Sequence, residues 1–312
     1  MRNVFSYAIR NTQYEIRPTL NLKLETFPLT DTHAHLYWDR FDKDRDAVIA
    51  RCTDFNVKRI LIPGTTVKTS LASVKLAESH PNLFAAIGIH PTDALEWADE
   101  TKDELRKLVA TRPDRFSKPV RPQLHSKIVA IGEIGLDYYW DRAPHEIQKR
   151  VLQEQLSLAE ELELPVVLHL REKGDAPEGD CAVDLLEMLS KWVASLRSRA
   201  HSLATNPGAL HSFSGTITAA EKAIQLGFMI GVTGPITFKK ASKRREIIAS
   251  LPMEKILIET DSPFLTPHPK RGKRNEPANV RFIAEKIAEI HGKETREIAA
   301  ITTANAARLF NW

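Results

Sequence analysis

The chain has 312 residues, 42% of them hydrophobic, enough to bury a full core in one large domain or two smaller ones. Lysine and arginine number 44 against 40 acidic residues, so the formal net charge of +4 does not by itself mark a nucleic-acid binder, although local basic segments still can. The 2 cysteines, Cys52 and Cys181, stand far apart with no metal-like spacing, which speaks against a disulfide framework and fits packed thiols in a reducing, cytoplasmic setting.

Residues 1 to 27 read as an N-terminal extension and residues 28 to 312 as one domain. The start, "MRNVFSYAIRNTQYEIRP", has no sustained apolar segment, which speaks against a signal peptide. No uncharged apolar run reaches the length of a bilayer span, so no membrane association is expected. No protein partner is evident.

Beyond the extension, short apolar runs alternate with stretches of helical period. The runs are "LTDTHAHL" at 29, "RILIPGT" at 59, "FAAIGIHP" at 84, "IVAIGEIGLDY" at 128, "PVVLHLR" at 165, "GALHSFSG" at 208, "FMIGVTGPITF" at 228 and "ILIETDSPFL" at 256. Most are near-continuous in Val, Ile, Leu and Ala, as strands buried on both faces of a parallel sheet require. Between them, "HEIQKRVLQEQLSLAEELEL" spaces Ile147, Val151, Leu152, Leu156, Ala159 and Leu162 close to a 3.6 period. "VKTSLASVKLAES", "ITAAEKAIQLG" and "VRFIAEKIAEIHG" follow suit, the last two ending in a glycine suited to a C-cap. The alternation predicts an α/β fold, a (β/α)8 TIM barrel of the metal-dependent hydrolase type, with an open doubly wound sheet as the competing arrangement. Two connections, from about Asp93 to Lys127 and from Ser195 to Gly208, hold breakers and scattered basic residues and read as surface insertions.

Ionisable residues recur where a barrel strand should be apolar. The first run carries His33 and His35, the fourth Glu133, the fifth His169, the sixth His211 and the eighth Asp261. On a strand, positions i and i+2 share a face, so His33 and His35 project together. Each position alone has an ordinary explanation: a hydrogen-bonded core histidine, a helix cap, an ion pair. Burying them all unpaired would cost several kcal/mol apiece, on the order of typical estimates, whereas a divalent metal centre satisfies them together. The set exceeds what one tetrahedral ion needs and suits two divalent ions bridged by Glu133.

With these residues in place, the chain resembles the TatD-type metal-dependent deoxyribonucleases of the amidohydrolase-like barrels. The matching pieces are "DTHAHL", "GIHP", "GEIGLDY", "LPVVLHLR", "HSFSGT", "GVTGPITF", "ILIETDSPFLTP", "RGKRNEPANV" and "NAARLF", in order from Asp31 to Phe310. The resemblance implies that His33, His35 and Asp261 bind one metal and that Glu133 bridges to a second, held by His169 and His211. It also implies a place near the substrate for His90. Position 34 is Ala where relatives often have Cys, and the two connections exceed the usual family lengths.

Two metals at such a site lower the pKa of a bound water, orient it and neutralise charge on the attacked group. Asp261 is the expected general base, with Glu133 as the other catalytic carboxylate. Mg²⁺ or Mn²⁺ are the expected working ions, with Zn²⁺ as an alternative. The run "HPKRGKRNEP" places Lys270, Arg271, Lys273 and Arg274 after the eighth strand, where they suit a polyanion or form a solvated loop. Arg271, Arg274, Arg171 and His90 are the candidate substrate contacts. Tyr138, Tyr139, Trp140 and Phe264 offer stacking surfaces or rim packing, and Glu259 either backs a ligand or forms a simple ion pair. The expected activity is DNA hydrolysis, with the 3′-to-5′ preference for single-stranded ends implied by the resemblance alone. An amide or ester hydrolase on the same metals, for example one acting on aminoacyl-tRNA, and a non-catalytic scaffold stand as alternatives.

Overall fold

Strands buried on both faces leave no room for solvent between sheet and helices, and the Val- and Ile-rich runs fold accordingly. In this computed structural model, residues 27–110, 127–140 and 142–312 are described; residues 1 to 26 of the expected N-terminal extension lie outside them. The strands are β1 (Leu29–Asp31), β2 (Val57–Pro63), β3 (Leu83–Ile87), β4 (Ile128–Asp137), β5 (Val166–Arg171), β6 (Gly208–Leu210), β7 (Met229–Val232) and β8 (Ile256–Ile258). Neighbours in sequence are neighbours in the sheet, all parallel.

The helices laid over this sheet are α1 (Arg45–Asp54), α2 (Val67–Ser79), α3 (Thr101–Val109), α4 (His145–Leu162), α5 (Asp180–Ser198), α6 (Ile217–Gln225), α7 (Ser242–Ser250) and α8 (Val280–His291). A further helix, α9 (Thr295–Phe310), follows the last of them. The ring closes where β1 meets β8. Thr32 N–H donates to Ile258 O (3.2 Å), Asp261 N–H to His33 O (2.8 Å) and His35 N–H to Ser262 O (2.8 Å), and Ala34 bridges Ser262 in parallel. The protein is a (β/α)8 TIM barrel.

Strand alternation sorts the core. Ile60 and Ile62 face the large apolar cluster beneath the helices, while Leu61 joins Ala86, Val167, Met229 and Leu257 in a smaller cluster inside the ring. Leu309 and Phe310 of α9 complete that inner cluster. Asn305 anchors this helix to the start of β8, its amide donating to Met253 O (2.8 Å) and Ile256 O (2.9 Å). One end of the barrel is therefore plugged, and the strands' C-terminal end is left for chemistry.

Three expectations change. The first strand stops at Asp31, so His33 and His35 stand just past it on irregular backbone tied to the β8 side. The connection from Asp93 to Lys127 is not simply an insertion: it contains α3, whose Leu105 and Val109 are buried. That helix is short, 9 residues, and its apolar side is made by Leu105, Leu108 and Val109 alone. Residues 111–126 of the connection lie outside the described residues. Likewise, the segment from Ser195 begins as the end of α5, with Leu196 buried, before a short 3-10 turn at Ser202–Ala204.

Candidate metal centre

At the open end, side chains from β4 and β5 and from just past β1, β6 and β8 converge. The buried rings of His33 and His35 bring their Nε2 atoms to 3.2 Å, so the ring nitrogens meet although the strand itself has ended. Glu133, in the middle of β4, divides its carboxylate between two groups of histidines. Its Oε2 lies 3.2 Å from His33 Nε2 and 3.6 Å from His35 Nε2. Its Oε1 lies 3.0 Å from His169 Nδ1 and 3.6 Å from His90 Nε2. Gly135, two residues on, takes φ +142° where any Cβ would fall 2.1 Å from His169 O; a glycine here lets β4 and β5 approach.

Asp261 follows β8 with φ +56°, a conformation that aspartate tolerates better than most residues and that recurs at functional sites. Its Oδ1 lies 3.4 Å from His35 Nε2, 3.7 Å from His211 Nε2 and 3.9 Å from His33 Nε2. The His211 ring stacks on that of His33, with centroids 3.4 Å apart.

Behind these groups stands a second layer of carboxylates. Asp137 Oδ2 lies 2.9 Å from His169 Nε2, while its Oδ1 accepts the backbone N–H of Tyr139 and Trp140 (2.9 Å each). Gln148 of α4 fixes that strand end, accepting from Asp137 N–H (2.8 Å) and donating to Asp137 O (2.9 Å). Glu259 Oε1 lies 2.8 Å from His211 Nδ1, a charge contact out of line for a hydrogen bond, and accepts Ser212 N–H (2.5 Å). Gly231 makes this possible, since a Cβ there would sit 2.4 Å from Glu259 Oε1. Carboxylates behind histidines in this way orient the rings and raise their basicity. Finally Asp31, fully buried, accepts from His33 N–H (3.2 Å), Thr260 N–H (2.9 Å) and Thr260 Oγ1–H (2.6 Å), and so ties the two sides of the seam.

The electrostatics divide the histidines. Burial lowers His33, and the nearby His211 lowers it further; burial likewise lowers His90, to about 3, so both rings are neutral. Burial also opposes charge on His169 and His211. Bonds to Asp137 and Glu133 nevertheless raise His169 to about 9, and the Glu259 charge and contact raise His211 to about 10. Burial alone would push Glu133 up, but the His33 and His90 rings against it and the hydrogen bond from His169 hold it well below the usual carboxylate range. Asp261, also buried, is held down by His35, His211 and His33. Ionised carboxylates with the neutral His33 and His90 rings are donors a divalent cation can take as they stand, whereas His169 and His211 would give up a proton on binding one. His33 Nδ1 is buried without a hydrogen-bond partner among the described residues.

Among the described residues, three overlapping sets offer ligand atoms within 4.8 Å of one another: His33, His211 and Asp261; His33, His35 and Glu133; and His90, Glu133 and His169. All six expected ligands thus converge. His169 and His211 fall in different sets, and His90, expected to touch substrate, stands among potential ligands with its Nδ1 bonded to Thr92 Oγ1 (2.7 Å).

A cavity of about 770 Å³ opens over these sets, lined among others by Trp38, Trp140, Arg142, Arg171, Arg244 and Phe264. Arg171 reaches it, but its guanidinium is held by Asp175 (2.8 Å) and lies over the Tyr139 ring (3.7 Å). Arg271 and Arg274 do not line it. Arg274 clasps Asp44 through both nitrogens (2.8 and 2.7 Å), and Arg271 lies over the Phe238 ring (4.0 Å). Tyr138 is a packing residue, buried with its hydroxyl donating to Asp184 (2.6 Å). Tyr139 and Trp140 are exposed at the mouth, and Phe264 packs edge-on to Trp38. Asp31, Asp137 and Arg244 escaped the sequence reading. The signal for Asp137 was present, since it stands four places after Glu133 in the same apolar run "GEIGLD".

The family profile described as TatD related DNase matches residues 30–311. The chain is 39% identical over 282 residues to the uncharacterized metal-dependent hydrolase YabD of Bacillus subtilis, covering 90% of this chain and 98% of that one. It is 35% identical over 286 residues to the 3′-5′ ssDNA/RNA exonuclease TatD of Salmonella typhimurium, covering 90% and 98%. The crystal structure of YJJV, a TatD homologue from Escherichia coli, superposes with a TM-score of 0.76 at 32% identity, covering 91% of this chain and 98% of that one. The chain belongs to the TatD-related DNase family and is a metal-dependent hydrolase of the TatD type.

Proposed function

We propose that this protein hydrolyses phosphodiester bonds of DNA, removing nucleotides from single-stranded ends in the 3′-to-5′ direction on a two-cation centre. The ligands in this reading are His33, His35, Glu133, His169, His211 and Asp261. The observation that carries it is the Glu133 carboxylate, with one oxygen turned to His33 and His35 and the other to His169 and His90. A residue serving one ion would have no reason to face two groups of nitrogens. The relative named as a 3′-5′ ssDNA/RNA exonuclease supports the substrate class and the polarity.

Divalent ions held there, Mg²⁺ or Mn²⁺ with Zn²⁺ the alternative, would supply Lewis-acid activation of water and neutralise charge on the attacked phosphoryl group. The chain's own residues supply the rest. Asp261 is ionised, faces the cavity and takes the proton of the attacking water at a carboxylate oxygen. Asp137 and Glu259 hold the His169 and His211 rings so that each keeps one nitrogen on the site. Trp38, Phe264 and Trp140 give the mouth apolar faces on which bases can stack.

The test is direct. Purified protein is loaded with Mg²⁺, Mn²⁺ or Zn²⁺ and given labelled single-stranded DNA, duplex DNA and an aminoacyl ester. Nucleotides are expected from single-stranded ends, with release abolished in Asp261→Asn and Glu133→Ala. Cleavage of the ester with all DNA intact would move the assignment to an amide or ester hydrolase. No cleavage with any metal would leave a scaffold. Anomalous scattering should place two ions against Glu133, and a single ion would overturn the bridged centre.

A further inference from the structure

The cavity wall contains a cation that none of these steps uses. Arg244 stands in the first turn of α7, which follows β7 and therefore begins at the catalytic end of the barrel. Its side chain lines both the main cavity and a small apolar recess formed by Phe213, Val232, Ile236, Ile247 and Ile248. That recess suits the aliphatic stem, leaving the guanidinium to the cavity.

Arg244 has no hydrogen-bond or ion-pair partner among the described residues, in contrast to Arg171 on Asp175 and Arg274 on Asp44. Burial lowers its pKa, and the charge that favours its ionised form is Asp175, already engaged by Arg171. Lys243 and Arg245 flank it, α7 has no acidic residue in its first turn, and Ala241 gives no side-chain cap. Clustering cations at the positive end of a helix opposes the dipole. A half-buried, uncompensated guanidinium held against an apolar wall is stable when an anion enters beside it.

We propose that Arg244 is a substrate-binding residue that holds a backbone phosphate of a single-stranded nucleic acid, at a position apart from the metal ligands. The proposal rests on the nucleic-acid reading above and adds to it the residue that grips the strand. The planar, always-charged guanidinium can take two phosphate oxygens at once, which a lysine cannot. Arg142 and Trp140 on the β4 side of the same cavity place a second cation and an aromatic face for the neighbouring nucleotide.

The experiment measures binding of metal-loaded protein to a fluorescent phosphorothioate oligothymidylate by anisotropy, over a series of salt concentrations. Arg244→Gln keeps the stem in its recess and removes the charge; Arg244→Lys returns the charge without the fork. Arg244→Gln should weaken binding about tenfold, the scale of one charge-assisted contact. It should also flatten the slope of log affinity against log salt by about 0.7, the value for one phosphate on a single strand. Arg244→Lys should recover the slope and part of the affinity. Unchanged affinity and slope in Arg244→Gln would overturn the proposal, as would equal weakening in both variants with the wild-type slope. Hydrolysis of bis(p-nitrophenyl) phosphate by the wild type separates the two claims. Diester cleavage without strand binding would sink the Arg244 assignment and leave the hydrolase standing. Arg244-dependent strand binding without any cleavage would uphold Arg244 and sink the proposed reaction.

Discussion

Replacing Asp31 by Ala should be among the most damaging changes that leave every proposed metal ligand in place. Its carboxylate accepts His33 N–H, Thr260 N–H and the Thr260 hydroxyl at a position with no solvent exposure. In Asp31→Ala the hydroxyl can turn to Ser262 Oγ, already 2.9 Å away. The two backbone N–H groups have no such recourse. An orphaned buried donor costs about 1–3 kcal/mol, so the pair costs about 2–6 kcal/mol. At roughly 2–4 °C per kcal/mol for a large domain, the melting temperature should fall by on the order of 10 °C. Asp31→Asn keeps an acceptor oxygen for both N–H groups and should lose only about 1 kcal/mol. Calorimetric melts with chelator and with added Mn²⁺ would measure both. Because Asp31 joins the His33 backbone to that of Thr260, Asp31→Ala should also shrink the Mn²⁺-induced rise in melting temperature. Equal losses for Ala and Asn, or an Ala variant that melts with the wild type, would refute the reasoning.

His169→Ala disrupts the set of His90, Glu133 and His169 and leaves the His33-centred sets whole, so metal content by mass spectrometry should fall by one ion per chain; loss of all metal would contradict separate sets. Arg274→Ala should lower stability by about 1 kcal/mol or less through loss of a partly exposed pair, with little change in affinity for single-stranded DNA; a tenfold weakening would return Arg274 to the substrate. Tyr138→Phe should cost about 1 kcal/mol by removing the hydrogen bond to Asp184. That bond holds Asp184 below its ordinary pKa, so its contribution is full above the unfolded value of 3.8 and fades as pH falls through the depressed one. Denaturant titrations should therefore find wild type and variant converging in acid; a gap that widens there would show that the bond acts otherwise.

The barrel was legible because its strands are buried on both faces: continuous apolar runs at regular intervals leave few other folds. The residues that converge on the candidate metal centre were legible because each is an ionisable residue interrupting such a run, and five strand ends do so. What stayed hidden shares a physical cause. The helix at Thr101 is only 9 residues long, and Leu105, Leu108 and Val109 are all of its apolar side, too short a pattern to stand out from a connection rich in breakers. Asp31 sits beside a histidine pair that claims attention, and its partner Thr260 is far away in sequence. The basic run from Lys270 to Arg274 promised phosphate contacts by composition, yet Asp44 takes Arg274. Composition records how many cations a loop carries; only the fold tells which of them already has a partner. Arg244 is the converse case, an arginine in an ordinary helical run that has no partner among the described residues.

The seam between the first and last strands has a consequence for how the protein is made. His33 and His35 emerge from the ribosome early, while Asp261 and the β8 backbone they lean on come almost last. Until β8 docks, Ala34 and His35 lack their Ser262 partners and His33 lacks the Asp261 carboxylate. A chain still being translated thus carries most of the proposed ligands without the group proposed to take the proton from water. The proposed centre can therefore be completed only after the eighth strand has been made and has docked on the first.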